Sequence, residues 1–144
     1  MHTYGNNLQS RPLFKAQETK FNEALSEIQK GKKQSHWMWF IFPQIAGLGF
    51  SEYSAFYAVK NIEEASQYLH HPVLGTRLVK IATAVLEING KTATEIFGKP
   101  DDQKLRSSMT LFAQARNTDP VFQHVLDKYY QGMKDEKTMQ LLNN

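Results

Sequence analysis

The sequence predicts an all-α fold, a single compact bundle of about seven or eight short helices. Three observations lead there. Apolar residues recur at steps of three, four and seven along most of the chain. Cap residues followed three positions later by glutamate, with glycine or proline at the far ends, punctuate that pattern. No segment alternates apolar and polar residues or carries hairpin chemistry, so a strand would lack a partner for its backbone groups.

The elements follow in chain order. Phe14, Phe21, Leu25 and Ile28 mark one face of a helix over Leu13 to Lys30, and Gly31 stops it. The apolar run from His36 to Phe42 reads as a buried helix with Ser35 as N-cap and Pro43 as its end. Ser51 caps a helix through Val59, and Asn61 with Glu64 forms a capping box for a helix ending near His70. His71-Pro72 is a cap followed by proline at the first helical position. Leu74, Leu78, Ile81, Val85 and Ile88 then form one stripe, closed by Asn89-Gly90. Thr92 and Glu95 box a short turn that ends at Gly98. Pro100, Asp101 and Asp102 open the next helix, with Leu105, Met109 and Phe112 inward. Asp119-Pro120 starts another, through Val121, Val125, Leu126 and Tyr129. Asp135 caps the last, which carries Met139 and Leu142.

At 144 residues the chain has room for one hydrophobic core and is too short for two, so a single domain over residues 1–144 is expected, with residues 1–7 loosely ordered. An apolar fraction of 41% with 22% charged residues argues against wholesale disorder. No apolar run approaches the roughly 20 residues that span a bilayer. The absence of cysteine excludes disulfides, thiolate nucleophiles and cysteine zinc sites, and no targeting segment is visible; a cytoplasmic protein is expected. The net charge of +3 is dispersed apart from Lys30, Lys32 and Lys33, which suit a solvated helix end, so nucleic acid is not an expected partner.

The strings "GKKQSHWMWFIFPQIAGLGFS", "YAVKNIEEASQYLHHPVLGTRL", "EIFGKPDDQKLRSSMTLF" and "VFQHVLDKYYQGMKDEKTMQLL" together resemble the bacterial family of unknown function DUF1810. The resemblance runs from about Leu8 to Leu142. It implies an all-helical fold and brings no reaction with it.

Several residues are candidates for chemistry. Gly47 and Gly49 precede Ser51 and a helix start, an arrangement that presents free amides to an anion and equally forms a plain tight turn. His36 is either a proton donor and acceptor at a ligand or a capped core histidine. Trp37 and Trp39 are either core or a stacking wall. Arg77 lies on or beside the apolar stripe of its helix, where a guanidinium needs an anion; that anion is Asp101, Asp102 or a ligand. Ser108 faces inward between Leu105 and Phe112 and either allows close helix packing or lines a pocket. Asp102 and Arg106 have the spacing of an exposed ion pair. No metal-binding spacing occurs, and no cofactor is implied.

Combined, these features describe a pocket for a small anionic aromatic molecule, nucleotide or ADP-ribose-like. Arg77 and the Gly47 to Ser51 amides would hold the anion, Trp37 or Trp39 the ring, and His36 would serve hydrolase or transferase chemistry. The alternative is a helical module that binds a protein partner and catalyses nothing.

Overall fold

The structure, a computed structural model, describes Leu8 and residues 11–49 and 52–143. Residues 1–7, expected to be loosely ordered, and Ser51, expected to cap a helix, lie outside the described residues. The described residues form nine α-helices and no sheet: α1 Pro12–Gln29, α2 Met38–Ile41, α3 Glu52–Tyr57, α4 Ile62–His70, α5 Leu74–Glu87, α6 Ala93–Phe97, α7 Asp101–Ala113, α8 Val121–Tyr130 and α9 Glu136–Leu142. One isolated parallel bridge joins Ile45 to Val59. The helix expected to run through Val59 therefore stops at Tyr57, because Val59 exchanges backbone bonds with Gln44 and Ala46 instead.

Local chemistry explains most boundaries. Thr92 and Glu95 make both bonds of the capping box. The Asn61 side chain accepts from the Glu64 amide, while the Glu64 carboxylate turns to the Lys60 amide and to Arg11. Asp135 accepts from the Thr138 amide. At α5 the outcome differs from expectation. The helix begins at Leu74, and the buried His71 caps it with its ring, Nδ1 accepting from the amides of Val73 and Leu74 at 3.1 and 3.2 Å.

Helix α5 is the centre of the bundle, packed against α1, α4 and α8, and α7 packs against α4, α6, α8 and α9. Gly75 makes one of these contacts possible. A Cβ there would stand 1.7 Å from the Leu69 carbonyl oxygen, so only glycine lets the start of α5 meet the end of α4. The core runs from Leu13 and Ile28 through Tyr68, Leu78 and Ile81 to Phe112, Phe122 and Leu126, each under 2% exposed.

Candidate functional site

The segment between α1 and α2 is held by one carboxylate. Glu27 accepts from the amides of Gln34 and Ser35 at 2.7 and 2.9 Å, from the Ser35 hydroxyl at 2.5 Å and from the Trp37 indole N–H at 2.9 Å. Burial alone would raise its pKa, but these bonds to the charged form outweigh burial and hold it at about 2. Ser35, expected to cap the following helix, is instead committed to Glu27, and α2 is a single four-residue turn with Trp37 before it.

The same anchoring decides the fate of the tryptophans. Trp37 is fully buried, its ring 6.2 Å from Phe42 and 6.5 Å from Phe97. It is core and offers no wall to a ligand. His36, one residue before it, is exposed. Trp39 is only partly buried, and one face of its indole carries the ammonium of Lys104, 3.7 Å from the ring centroid.

Trp39 forms the wall of a cavity of about 360 Å³. Ile45, Leu48 and Gly49 come from the loop after α2, and Ser54 from α3. Pro100, the N-cap of α7, and Gln103, Lys104 and Ser107 on one face of that helix stand at the i, i+3, i+4, i+7 spacing, and Asp135 and Lys137, at the N-cap and in the first turn of α9, close the other side. Gly49 lies in the lining while Gly47, at φ +92°, backs onto Leu141. Other clefts of similar size lie at Lys60, along Lys30 and Lys91, and around His70 and Arg116. A further cleft at Lys32, Lys33 and Lys91 has Ile96 and Phe97 in its lining, but both are buried; the Trp39 cavity is set apart by a partly exposed indole and two aliphatic side chains beside its ammonium groups.

Arg77 stands elsewhere. Its guanidinium pairs with Glu18, reaches Gln17 Oε1 at 3.5 Å and lies 5.8 and 5.7 Å from the rings of Phe14 and Phe21. Neither Asp101 nor Asp102 is its partner. Gln17 in turn donates to the Phe40 carbonyl and the Tyr68 hydroxyl, both at 2.7 Å. Burial pushes the Tyr68 hydroxyl up, against the opposing influence of Gln17 and Arg77. This is a polar seam between α1, α2, α4 and α5, and the anion expected from a ligand at Arg77 is supplied by the protein.

The Asp102–Arg106 pair expected on the surface does not form. Asp102 is buried and accepts from Thr94 Oγ1 at 2.6 Å, while Arg106 donates to the carbonyls of Met133 and Lys134, each at 2.9 Å. Ser108 is fully buried and its hydroxyl has no hydrogen-bond partner among the described residues; Ser107, next to it, lines the cavity and donates to the Gln103 carbonyl. Among the described residues no three His, Asp or Glu side chains gather as a metal site, and no helix is long and apolar enough to cross a membrane.

Sequence reasoning named Trp39 and Gly49 and missed Gln44, Lys104, Asp135 and Lys137. One signal was available: Pro100, Gln103, Lys104 and Ser107 form a helical stripe free of large apolar residues, opposite the inward face of Leu105, Met109 and Phe112.

Known proteins agree with this architecture. The crystal structure of the conserved hypothetical protein Rv1873 from Mycobacterium tuberculosis is similar, with a TM-score of 0.89 and 43% sequence identity, over 92% of this chain and 94% of that one. No curated protein matches. The family model described as a protein of unknown function, DUF1810, matches residues 7–142, and the chain belongs to that family.

Proposed function

We propose that the Trp39 cavity binds a small anionic ligand with an aromatic or apolar body, nucleotide-like in character. The observation that carries this reading is the meeting of Lys104 and Lys137 with Trp39, Ile45 and Leu48 around one opening. Ligand sites combine an apolar lining with a few polar groups that fix orientation, and a volume of about 360 Å³ stands at the lower end of their roughly 300–1,000 Å³ range. A mononucleotide suits that volume better than ADP-ribose. The reading keeps Trp39 and Gly49 from the residues named on sequence grounds and sets Arg77, Trp37 and His36 aside, since none of them lines the cavity. With His36 outside, no hydrolase or transferase step is assigned.

Thermal shift with AMP, NAD and ADP-ribose tests this, repeated on Lys104→Met and Trp39→Phe. A ligand at about 100 times its Kd stabilises the folded state by about 2.7 kcal/mol, a rise of several degrees in a domain of this size. The rise is expected with AMP and is expected to shrink in both variants. No rise with any compound overturns the reading. It would then favour the interaction module, for which Tyr53 and Phe56, 63% and 55% exposed on α3, are the supporting observation.

A further inference from the structure

The wall that α9 gives to the cavity hangs from α7 by backbone atoms. Arg106 Nε donates to the Met133 carbonyl and Nη2 to the Lys134 carbonyl, each at 2.9 Å, so one planar guanidinium grips two successive residues of the turn before α9. The next residue extends the grip. The Asp135 amide donates at 2.9 Å to Oγ1 of Thr110, which stands one helical turn beyond Arg106 on α7. Asp135 then caps α9, its Oδ2 accepting from the Thr138 amide at 3.0 Å and from the Thr138 hydroxyl at 2.6 Å. Thr110 and Thr138 are fully buried. On its other side the guanidinium carbon lies 5.9 Å from the ring centroid of Tyr130, which donates to the Asp102 carbonyl.

Arg106 does not line the cavity, but Lys137, three residues past Lys134, does. The charged groups of the lining differ in their freedom. Lys104 is paired with Asp101 at 3.2 Å and covers Trp39, and Asp135 is bonded to Thr138. Lys137 is exposed and makes no ion pair or hydrogen bond with the described residues. Asp101, Asp102 and Asp135 stand on the same two elements as these lysines, so the opening has no large excess of positive charge. Where a free ammonium stands therefore counts for more than the sum of charges.

Resting on the cavity and the anionic ligand assigned above, we propose that Lys137 takes the phosphate of that ligand and that Arg106 is its positioning residue. The guanidinium fixes the turn, the turn fixes the first residues of α9, and α9 carries Lys137 to the opening. Ordering that segment in advance removes a cost that the ligand would otherwise meet on binding.

Titration calorimetry with AMP, NAD and ADP-ribose, each of which carries phosphate, tests this on single and double variants. Lys137→Met is expected to weaken AMP about tenfold, the scale of one charge-assisted hydrogen bond. Arg106→Lys keeps the charge but lacks the fork that spans two carbonyls, and should weaken AMP about threefold. Combined with Lys137→Met, it should cost no more than Lys137→Met alone. Lys104→Met, by contrast, should weaken AMP by the same factor whether or not Arg106 is replaced. A merely structural Arg106 would treat the two lysines alike. If Arg106→Lys fails to fold, Arg106→Gln carries the same cycle. Unchanged affinity in the Arg106 variant overturns this proposal alone, and so do losses at Arg106 and Lys137 that multiply. If the unmodified protein binds none of the three compounds, the cavity is not a ligand site and both readings fall.

Discussion

At Glu27 two effects oppose each other, and their difference sets a pH dependence. Burial favours the neutral acid, four hydrogen bonds favour the carboxylate, and the bonds prevail, bringing the pKa from 4.5 to about 2. A carboxylate depressed on folding adds stability that is fully present above about pH 4.5 and is lost as pH falls toward about 2. Glu27→Gln keeps one acceptor oxygen but turns an amide NH2 toward groups that themselves donate. It is expected to cost about 2 kcal/mol at pH 7, the value of hydrogen bonds to a charged group. Denaturant melts of both proteins at pH 7, 4 and 3 check this, and the gap between them should narrow as the pH drops. The sequence offered no sign of this arrangement, since Glu27 sits eight residues before Ser35 and ten before Trp37 in what reads as a solvated helix end. Arg77 was similarly opaque. Its need for an anion was readable from the apolar stripe, but the partner, Glu18, is 59 residues away on another helix.

The junction of α4 and α5 poses a question of magnitude. Replacing Gly75 by alanine gains about 1 kcal/mol of helix propensity. The new Cβ, however, falls 1.7 Å from a backbone oxygen, which no rotamer change relieves. Overpacking of ordinary cores costs about 1–3 kcal/mol, and here the obstacle is a carbonyl rather than a side chain, so steric cost wins. Gly75→Ala is expected to destabilise by at least about 3 kcal/mol in chemical denaturation. A neutral result would mean that the two helices are free to separate. Elements whose ends depend on local chemistry were readable from the sequence, as the caps at Asn61, Thr92 and Asp135 demonstrate. The segment from His36 to Phe42 was not. Its apolar run fits any buried structure, and Glu27 rather than periodicity decides where its single turn begins.

For the molecule as a whole, burial is unevenly distributed. Helix α5 contributes Leu74, Leu78, Ile81, Ala82 and Val85 to the core, whereas α3 has no buried residue. Amide hydrogen exchange should therefore find α5 protected up to global unfolding and α3 exchanging first, through local opening. Protection of α3 equal to that of α5 would contradict this picture. The helical class and the position of the core followed from patterning, because hydrophobic spacing is a property of each segment alone. The cavity did not follow from patterning. It exists only where the loop after α2, one stripe of α7 and the start of α9 converge, and the sequence carries no record of that convergence beyond the stripe itself. The two tryptophans also acquire separate uses. Trp37 is sealed among phenylalanines and bonded to Glu27, while Trp39, two positions on, borders the opening under a lysine. A small quencher in the solvent should therefore reach Trp39 and spare Trp37, so the folded protein is expected to show one quenchable and one protected fraction of its tryptophan emission, and denaturant should make both quenchable.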